Sequence, residues 1–421
     1  MISKNKIMIM IALIISGSVI YELPYLSYIY YDLLTDSLDI NNTQLGTLMS
    51  IYGFIAMIGY FPGGWMADRI PAKYLLSFSL AVGGLLGIWF YTLPTSYSSL
   101  VIIYSLWGIT TSLTFWAALM KATRLLGDSS EQGRLFGILE AGRGLLPVFY
   151  GLLIVSVFNY FSASIQGLKN VILCYTLLEL LGALYVWMVI PVQDTSEGEK
   201  TGASLKDVIA VTRSKELWLL SLIIFSSYIL YTGFSYFTPF ITKFYGASAS
   251  LAATVGLIRT YGLALFGGLI SGYIADKTGS KTRVVMYANI IPVCCLLVLF
   301  LVPQSENLLY PVIGLVCFLG LAVFMTRGVY FAIVDEIKIP VIYSGAAMGF
   351  ISLIGFMPEA FIYILFGWFL DTFPGIQGYY YIFSFMAVMA MLGFIVAMLL
   401  YRRIKQEKLY FKNALVNTGE M

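Results

Sequence analysis

Two stretches decide how this chain is read: GWMADRIPAK at 64–73 and GYIADKTGSK at 272–281. They share the pattern G-x-x-A-D-(R/K)-x-x-x-K and start 208 residues apart in a chain of 421. Each is a short charged turn with a long apolar run on either side. A repeat at about half the chain length points to two copies of one unit, a construction many transporters use.

Composition sets the medium. Apolar residues make up 59% of the chain and charged residues 11%, with a mean hydropathy of +0.86. A soluble domain has about 45–50% apolar and about 25% charged residues. So much apolar surface cannot be hidden in a soluble fold of this size, which excludes a soluble enzyme, a nucleic-acid binder and a disordered chain. There is no His, so His-dependent triads, HExxH zinc sites and His-ligated haem are excluded. Cys174, Cys294, Cys295 and Cys317 lie in apolar runs without CxxC spacing and read as small buried hydrophobes. No metal or cofactor is expected.

Spanning a bilayer takes ~20 mostly apolar residues. Twelve stretches qualify: 7–33, 44–66, 74–94, 98–120, 133–160, 169–191, 216–242, 248–272, 284–303, 307–333, 341–369 and 377–401. Helices are expected, because in lipid each backbone polar group needs a partner within the protein. The first run is too long for a cleaved signal and is interrupted by Glu22. The basic residues then set orientation. With a cytoplasmic N-terminus, twenty Lys and Arg fall on the inside, Lys169 and Lys243 outside, and Arg143, Arg259 and Arg327 within spans. The expectation is an all-α membrane protein with twelve transmembrane helices in two six-helix bundles and both termini cytoplasmic. The bundles are 1–191 and 216–401. A linker at 192–215 contains DTSEGEKTGAS and a candidate short surface helix at 206–212, and a basic tail occupies 402–421.

These residues reach a known family. The chain resembles the major facilitator superfamily, whose loop between the second and third helices carries G-x-L-A-D-R-x-G-R-(K/R). Gly64, Ala67, Asp68, Arg69 and Lys73 match the first copy, and Pro71 and Ala72 depart from it. Gly272, Ala275, Asp276, Lys277, Gly279 and Lys281 match the second, and Ser280 departs. The resemblance implies a gating loop that locks the halves together on the inside when the cavity faces out. In it the Gly would allow close helix approach, and the Asp would face a helix N-terminus. Many proton-coupled members carry an Arg four residues before a Gly in the fourth helix; here Tyr104 stands at that position before Gly108. Gly142, Gly144, Pro147 and Gly151 loosely resemble the Gly-Pro motif of antiporters.

Seven ionisable residues lie inside spans: Glu22, Glu140, Arg143, Glu179, Arg259, Arg327 and Glu359. Each costs about 2.5–3.5 kcal/mol at the bilayer centre, about 20 kcal/mol for seven, so they must pair, face water or become neutral. Three Arg and four Glu leave one acid over, a candidate proton carrier. The resemblance places all but Glu179 on cavity-side helices; Glu179 reads as structural. Arg259 and Arg143 are expected to converge from the two halves on an anion, bidentately, with Arg327 as a third contact. The alternative is that the arginines pair with Glu22, Glu140 or Glu359. Tyr21, Tyr25 and Tyr28 share one helix face, as do Tyr228 and Tyr231; with Trp116 they can line a cavity or simply pack.

The expected function is a secondary transporter of a small organic anion, a carboxylate or phosphate ester, working by alternating access. Its partners are a coupling proton or sodium ion or a counter-substrate, and membrane lipid. The protein is expected to be a multi-pass monomer in a plasma membrane, such as a bacterial inner membrane. No Walker A motif is present, so ATP does not drive it directly. A proton symporter of a neutral solute such as a sugar, and a transporter-like sensor, are the alternatives.

Overall fold

The computed structural model describes residues 4–127, 131–192, 213–337, 339 and 344–418. The helix expected at 206–212 and most of the expected linker lie outside them. Every regular element among the described residues is a helix, with no strand. In chain order the helices are α1 Lys4–Val19, α2 Ser27–Leu38, α3 Asn42–Arg69 and α4 Ala72–Tyr91, then α5 Tyr97–Arg124, α6 Arg134–Tyr160, α7 Ile165–Val189, α8 Lys215–Tyr245, α9 Ala249–Thr278, α10 Lys281–Leu301, α11 Glu306–Asp335, α12 Ala347–Thr372 and α13 Ile376–Glu407. Ten of these are long and apolar enough to cross a membrane, and α3 makes eleven when its two segments, bent by 54° at Pro62, count as one span.

The expected first span, 7–33, is not one helix. α1 ends at Val19, residues 20–26 form turns, and α2 kinks at Tyr30 (φ −119°, ψ 42°). Pro24 lies in the break; it has no N–H and its ring collides with the carbonyl four residues earlier. Glu22 sits in that break. Other irregular turns also carry polar residues. Arg259 and Tyr261 lie in a π turn, Ile258–Gly262, and Glu359 follows Pro358 in a 3-10 turn, Met357–Ala360. Irregular backbone at membrane depth is tolerated where protein or a water-filled space surrounds it.

Packing repeats itself. α4 lies against α7 as α10 lies against α13, α3 against α5 as α9 against α11, and α1 against α6 as α8 against α12. Between the N-terminal set (α1–α7) and the C-terminal set (α8–α13), α3 meets α12, and α9 meets α2 and α6. The start of α1 and the end of α13 lie at one end of the bundle, here the proximal end; the turns after α2, α4, α6, α8, α10 and α12 lie at the distal end.

The distal end is closed. Asp371 at the end of α12 accepts from Asn42 N (3.2 Å), Asn42 Nδ2 (2.7 Å), Thr43 N (2.7 Å) and Thr43 Oγ1 (2.6 Å) at the start of α3. Asp32 pairs with Lys243 at 3.4 Å and accepts from Thr242 Oγ1 at 2.6 Å. Glycines let these helices touch. A Cβ on Gly46 would stand 2.1 Å from the Tyr363 carbonyl oxygen, and one on Gly367 would stand 2.3 Å from that of Asn42. At the proximal end, the polar contacts described join elements of one set: Lys6 with Glu131, Lys121 with the Ala67 carbonyl, Lys281 with Asp335, and Arg403 with Glu216.

Candidate functional site

The polar residues at mid-bundle fall into four groups. The first joins both sets. Tyr25 of the α1–α2 break and Tyr228 of α8 both donate to Glu359, Tyr228 at 2.9 Å. The Tyr28 and Tyr363 hydroxyls meet at 2.6 Å. Arg327 of α11 lies over the Tyr231 ring at 4.0 Å and over Tyr228 at 5.4 Å. Its Nη1 is buried without a hydrogen-bond partner. A guanidinium on an aromatic face gains about 0.5–2 kcal/mol and keeps donors free for a ligand. Glu359 is therefore held by phenols rather than by a salt bridge.

The second group is built on Arg143 of α6. Its Nε donates to the Gly17 carbonyl (3.0 Å) and its Nη1 to Glu140 (2.7 Å). It lies over Trp116 at 5.0 Å and Tyr21 at 5.9 Å. The Arg143 side chain is 15% exposed and that of Glu140 60%, so this ion pair opens to the surroundings. Tyr60 of α3 connects the first two groups. It is 40% exposed, yet Tyr21, Glu359 and Arg143 are all within electrostatic reach. It therefore faces a space between the two sets.

The third group is Arg259, fully buried. Its Nη2 donates to the Tyr28 carbonyl (3.1 Å) and to Thr238 Oγ1 (3.3 Å), while Nε and Nη1 have no hydrogen-bond partner. Phe234 and Phe237 wall it in at 5.5 and 5.9 Å. Arg143 and Arg259 hold different carbonyls of the first segment, at Gly17 and Tyr28, on either side of the break at 20–26.

The fourth group surrounds Glu22, which accepts from Tyr150 at 2.6 Å and has Tyr175 and Tyr261 within electrostatic reach. No group of three or more His, Cys, Asp or Glu able to hold a metal occurs among the described residues.

The family model for the Major Facilitator Superfamily matches residues 7–362. The chain belongs to the major facilitator superfamily. It is 33% identical to the inner membrane protein YihN of Escherichia coli K12 over 97% of this chain and 98% of that one. It is 22% identical to a hexuronate transporter of Bacillus subtilis 168 over 80% and 82%. Among solved structures, a bacterial homologue of the human lysosomal transporter Spinster, inward-facing and unoccupied, superimposes with a TM-score of 0.75 at 13% identity, over 96% of this chain and 98% of that one. The nucleoside transporter NupG gives a TM-score of 0.71 at 12% identity, over 95% and 99%. The protein is a multi-pass membrane transporter, not an enzyme.

The superfamily's loop motif is disengaged in this conformation. Asp68 and Asp276 are exposed and make no hydrogen bond or ion pair among the described residues. A Cβ on Gly64 or Gly272 would meet nothing within 4 Å, so the expected close helix approach at these glycines is absent here. Arg69 lies over Trp65 at 4.0 Å and Lys73 over Trp187 at 5.0 Å. Lys277 is exposed. Lys281 bonds Asp335 at 2.8 Å, and its backbone N–H donates to Glu336. Sequence reading missed Tyr60, Tyr150, Tyr261 and Tyr363, because 31 tyrosines offer no basis for choosing. Two signals were available: Tyr363 is one helical turn after Glu359, and Tyr261 is two residues after Arg259.

Proposed function

We propose that the protein is a secondary transporter of a small organic anion, moved by alternating access of two six-helix bundles joined by the 192–215 segment, with the proximal end cytoplasmic. The repeated helix pairings and the twenty-to-two bias of basic residues support this arrangement. The observation that carries the substrate class is Arg327: a guanidinium stacked on Tyr231, with a free donor, beside a carboxylate held by Tyr25 and Tyr228 from opposite sets. A bound carboxylate or phosphate accepts from Arg327 and from Arg143 across the Tyr60 space, and Trp116, Tyr21 and Tyr228 wall it. Glu359 responds to the ligand's charge, since both compete for Arg327. Arg259 holds the first span in place while the distal end is closed. A hexuronate carries one carboxylate and several hydroxyls, which suits this mix of guanidinium and phenol groups; the similarity to a hexuronate transporter supports the reading.

A thermal-shift screen of the purified protein tests it, with carboxylates, phosphate esters, neutral sugars and lipophilic cations at two pH values. A ligand at 100 times its Kd stabilises by about 2.7 kcal/mol. Stabilisation by one anion class, lost in Arg327→Met, is the expected result. Stabilisation by neutral sugars alone sinks the anion assignment.

A further inference from the structure

At the proximal end, α8 and α13 frame a groove of about 410 Å³ lined by Lys215, Trp218, Leu219, Leu399 and Arg403. Its chemistry is layered. Lys215 and Leu219 are four residues apart on α8, as are Leu399 and Arg403 on α13, so each pair shares a helix face. α8 leads away from the proximal end and α13 leads back to it. Both leucines therefore lie about 6 Å deeper than the two cations, at 1.5 Å per residue. Trp218 stands edge-on to Phe350 of α12, with ring centroids 4.9 Å apart. Trp218 and Leu399 are both exposed. Glu216 holds Arg403 in place: it accepts from Arg403 Nη1 at 2.9 Å and from Ser214 Oγ at 3.1 Å. That spends one guanidinium donor of about five, and the Arg403 side chain stays 44% exposed. Arg213, Arg402 and Lys405, each within two residues of a groove cation, are also exposed, and they keep the rim positive with Glu216 counted. The N-terminal set lacks the second cation. There α1 lies against α7 as α8 lies against α13. But α7 ends at Val189 and runs on through Ile190, Pro191 and Val192, and Lys6 of α1 pairs with Glu131 at 3.8 Å.

We propose that the α8–α13 groove is a binding site for one anionic phospholipid of the leaflet at the proximal end. The phosphodiester accepts from the Arg403 guanidinium and the Lys215 ammonium. The glycerol backbone passes Trp218, an indole at the level where such rings meet headgroups. The first acyl carbons cover Leu219 and Leu399. A free phosphate would use the upper layer alone; a phospholipid uses both. The positive rim favours a headgroup of net negative charge, such as phosphatidylglycerol, over a zwitterionic one whose amine is repelled there. Glu216 is a positioning residue that keeps Arg403 over the groove. The site lies wholly within the C-terminal set, so it is filled whichever end of the bundle is open. The lipid staples the start of α8, where the 192–215 segment enters, to the end of α13.

Native mass spectrometry of the full-length protein, incubated with phosphatidylglycerol or phosphatidylcholine, reads the lipid retained. One phosphatidylglycerol per chain is expected, with phosphatidylcholine held more weakly. Equal retention of the two, no retained lipid, or a second copy of the chain in place of lipid overturns the proposal. Lys215→Gln and Arg403→Gln should each lower phosphatidylglycerol affinity about fivefold, and together about 25-fold. Unchanged affinity in the double variant overturns the site. Leu399→Trp keeps both cations and fills the lower layer from a position already exposed, so it should expel the lipid from a folded protein. Retention in Leu399→Trp overturns the layered site even where the glutamine variants fail to fold. Inorganic phosphate separates the lipid from a soluble anion. Phosphatidylglycerol should raise the melting temperature and millimolar phosphate should not; an equal rise with phosphate overturns the lipid assignment.

Discussion

Gly46→Ala is expected to open the distal end. The added Cβ would stand 2.1 Å from the Tyr363 carbonyl oxygen, 2.6 Å from its carbon and 3.1 Å from Ile364 N. All three are backbone atoms, so no rotamer change relieves them. Ordinary contact begins at 3.4 Å, so α3 and α12 must part by about 1.3 Å at this level (3.4 − 2.1). Overpacking of this kind costs about 1–3 kcal/mol. The two helices belong to different sets, so the strain is relieved by rocking rather than by unfolding. At about 2 kcal/mol the closed-to-open ratio at the distal end falls roughly 30-fold. The assay is electron-spin distance measurement between labels at Asp36 and Gln377, both exposed at the distal end, with the four native cysteines replaced. A longer distance population is expected. Gly64→Ala is the control: nothing lies within 4 Å of its Cβ, so the distal distance and melting temperature should hold. An unchanged distance in Gly46→Ala, or outright unfolding, refutes the reasoning.

Other perturbations follow from the same contacts. Asp371→Ala removes the acceptor for the first N–H groups of α3; at about 1 kcal/mol for a lost cap, the same labels should report a several-fold larger open population at the distal end. Arg259→Met replaces a fully buried, unpaired cation with an apolar chain. Such replacements are often neutral or stabilising by about 1–4 kcal/mol, so the melting temperature should hold or rise while transport is lost; retained transport would remove Arg259 from the cycle. Asp68→Asn should slow transport yet spare ligand affinity, because Asp68 makes no hydrogen bond or ion pair among the described residues and the proposed gating role gives it a partner when the proximal end closes. Equal losses of rate and affinity would argue against a gating role.

Sequence alone determined the class of object. Few charges among long apolar runs exclude a soluble fold, and the repeated G-x-x-A-D-(R/K) turn marks two copies and the superfamily. Both readings survive because hydropathy and local turn chemistry are properties of short segments and do not depend on which segments later touch. The partners of the buried charges are another matter. Glu140 and Arg143, three residues apart on one helix, could be paired from sequence, and they do pair. Glu359 with Tyr25 and Tyr228 joins residues 334 and 131 positions apart, and Arg259 spends a donor on a backbone carbonyl of the other half, which carries no side-chain signature. Pro24 marks the break in the first span, but where the freed segment points depends on what packs around it. Which end of the bundle is closed was decided by tertiary structure alone. The glycines of α3 have the same composition at both ends, yet a Cβ on Gly46 meets backbone and one on Gly64 meets nothing. That difference lies in the angle between the two halves, a degree of freedom that a transporter's sequence must leave open.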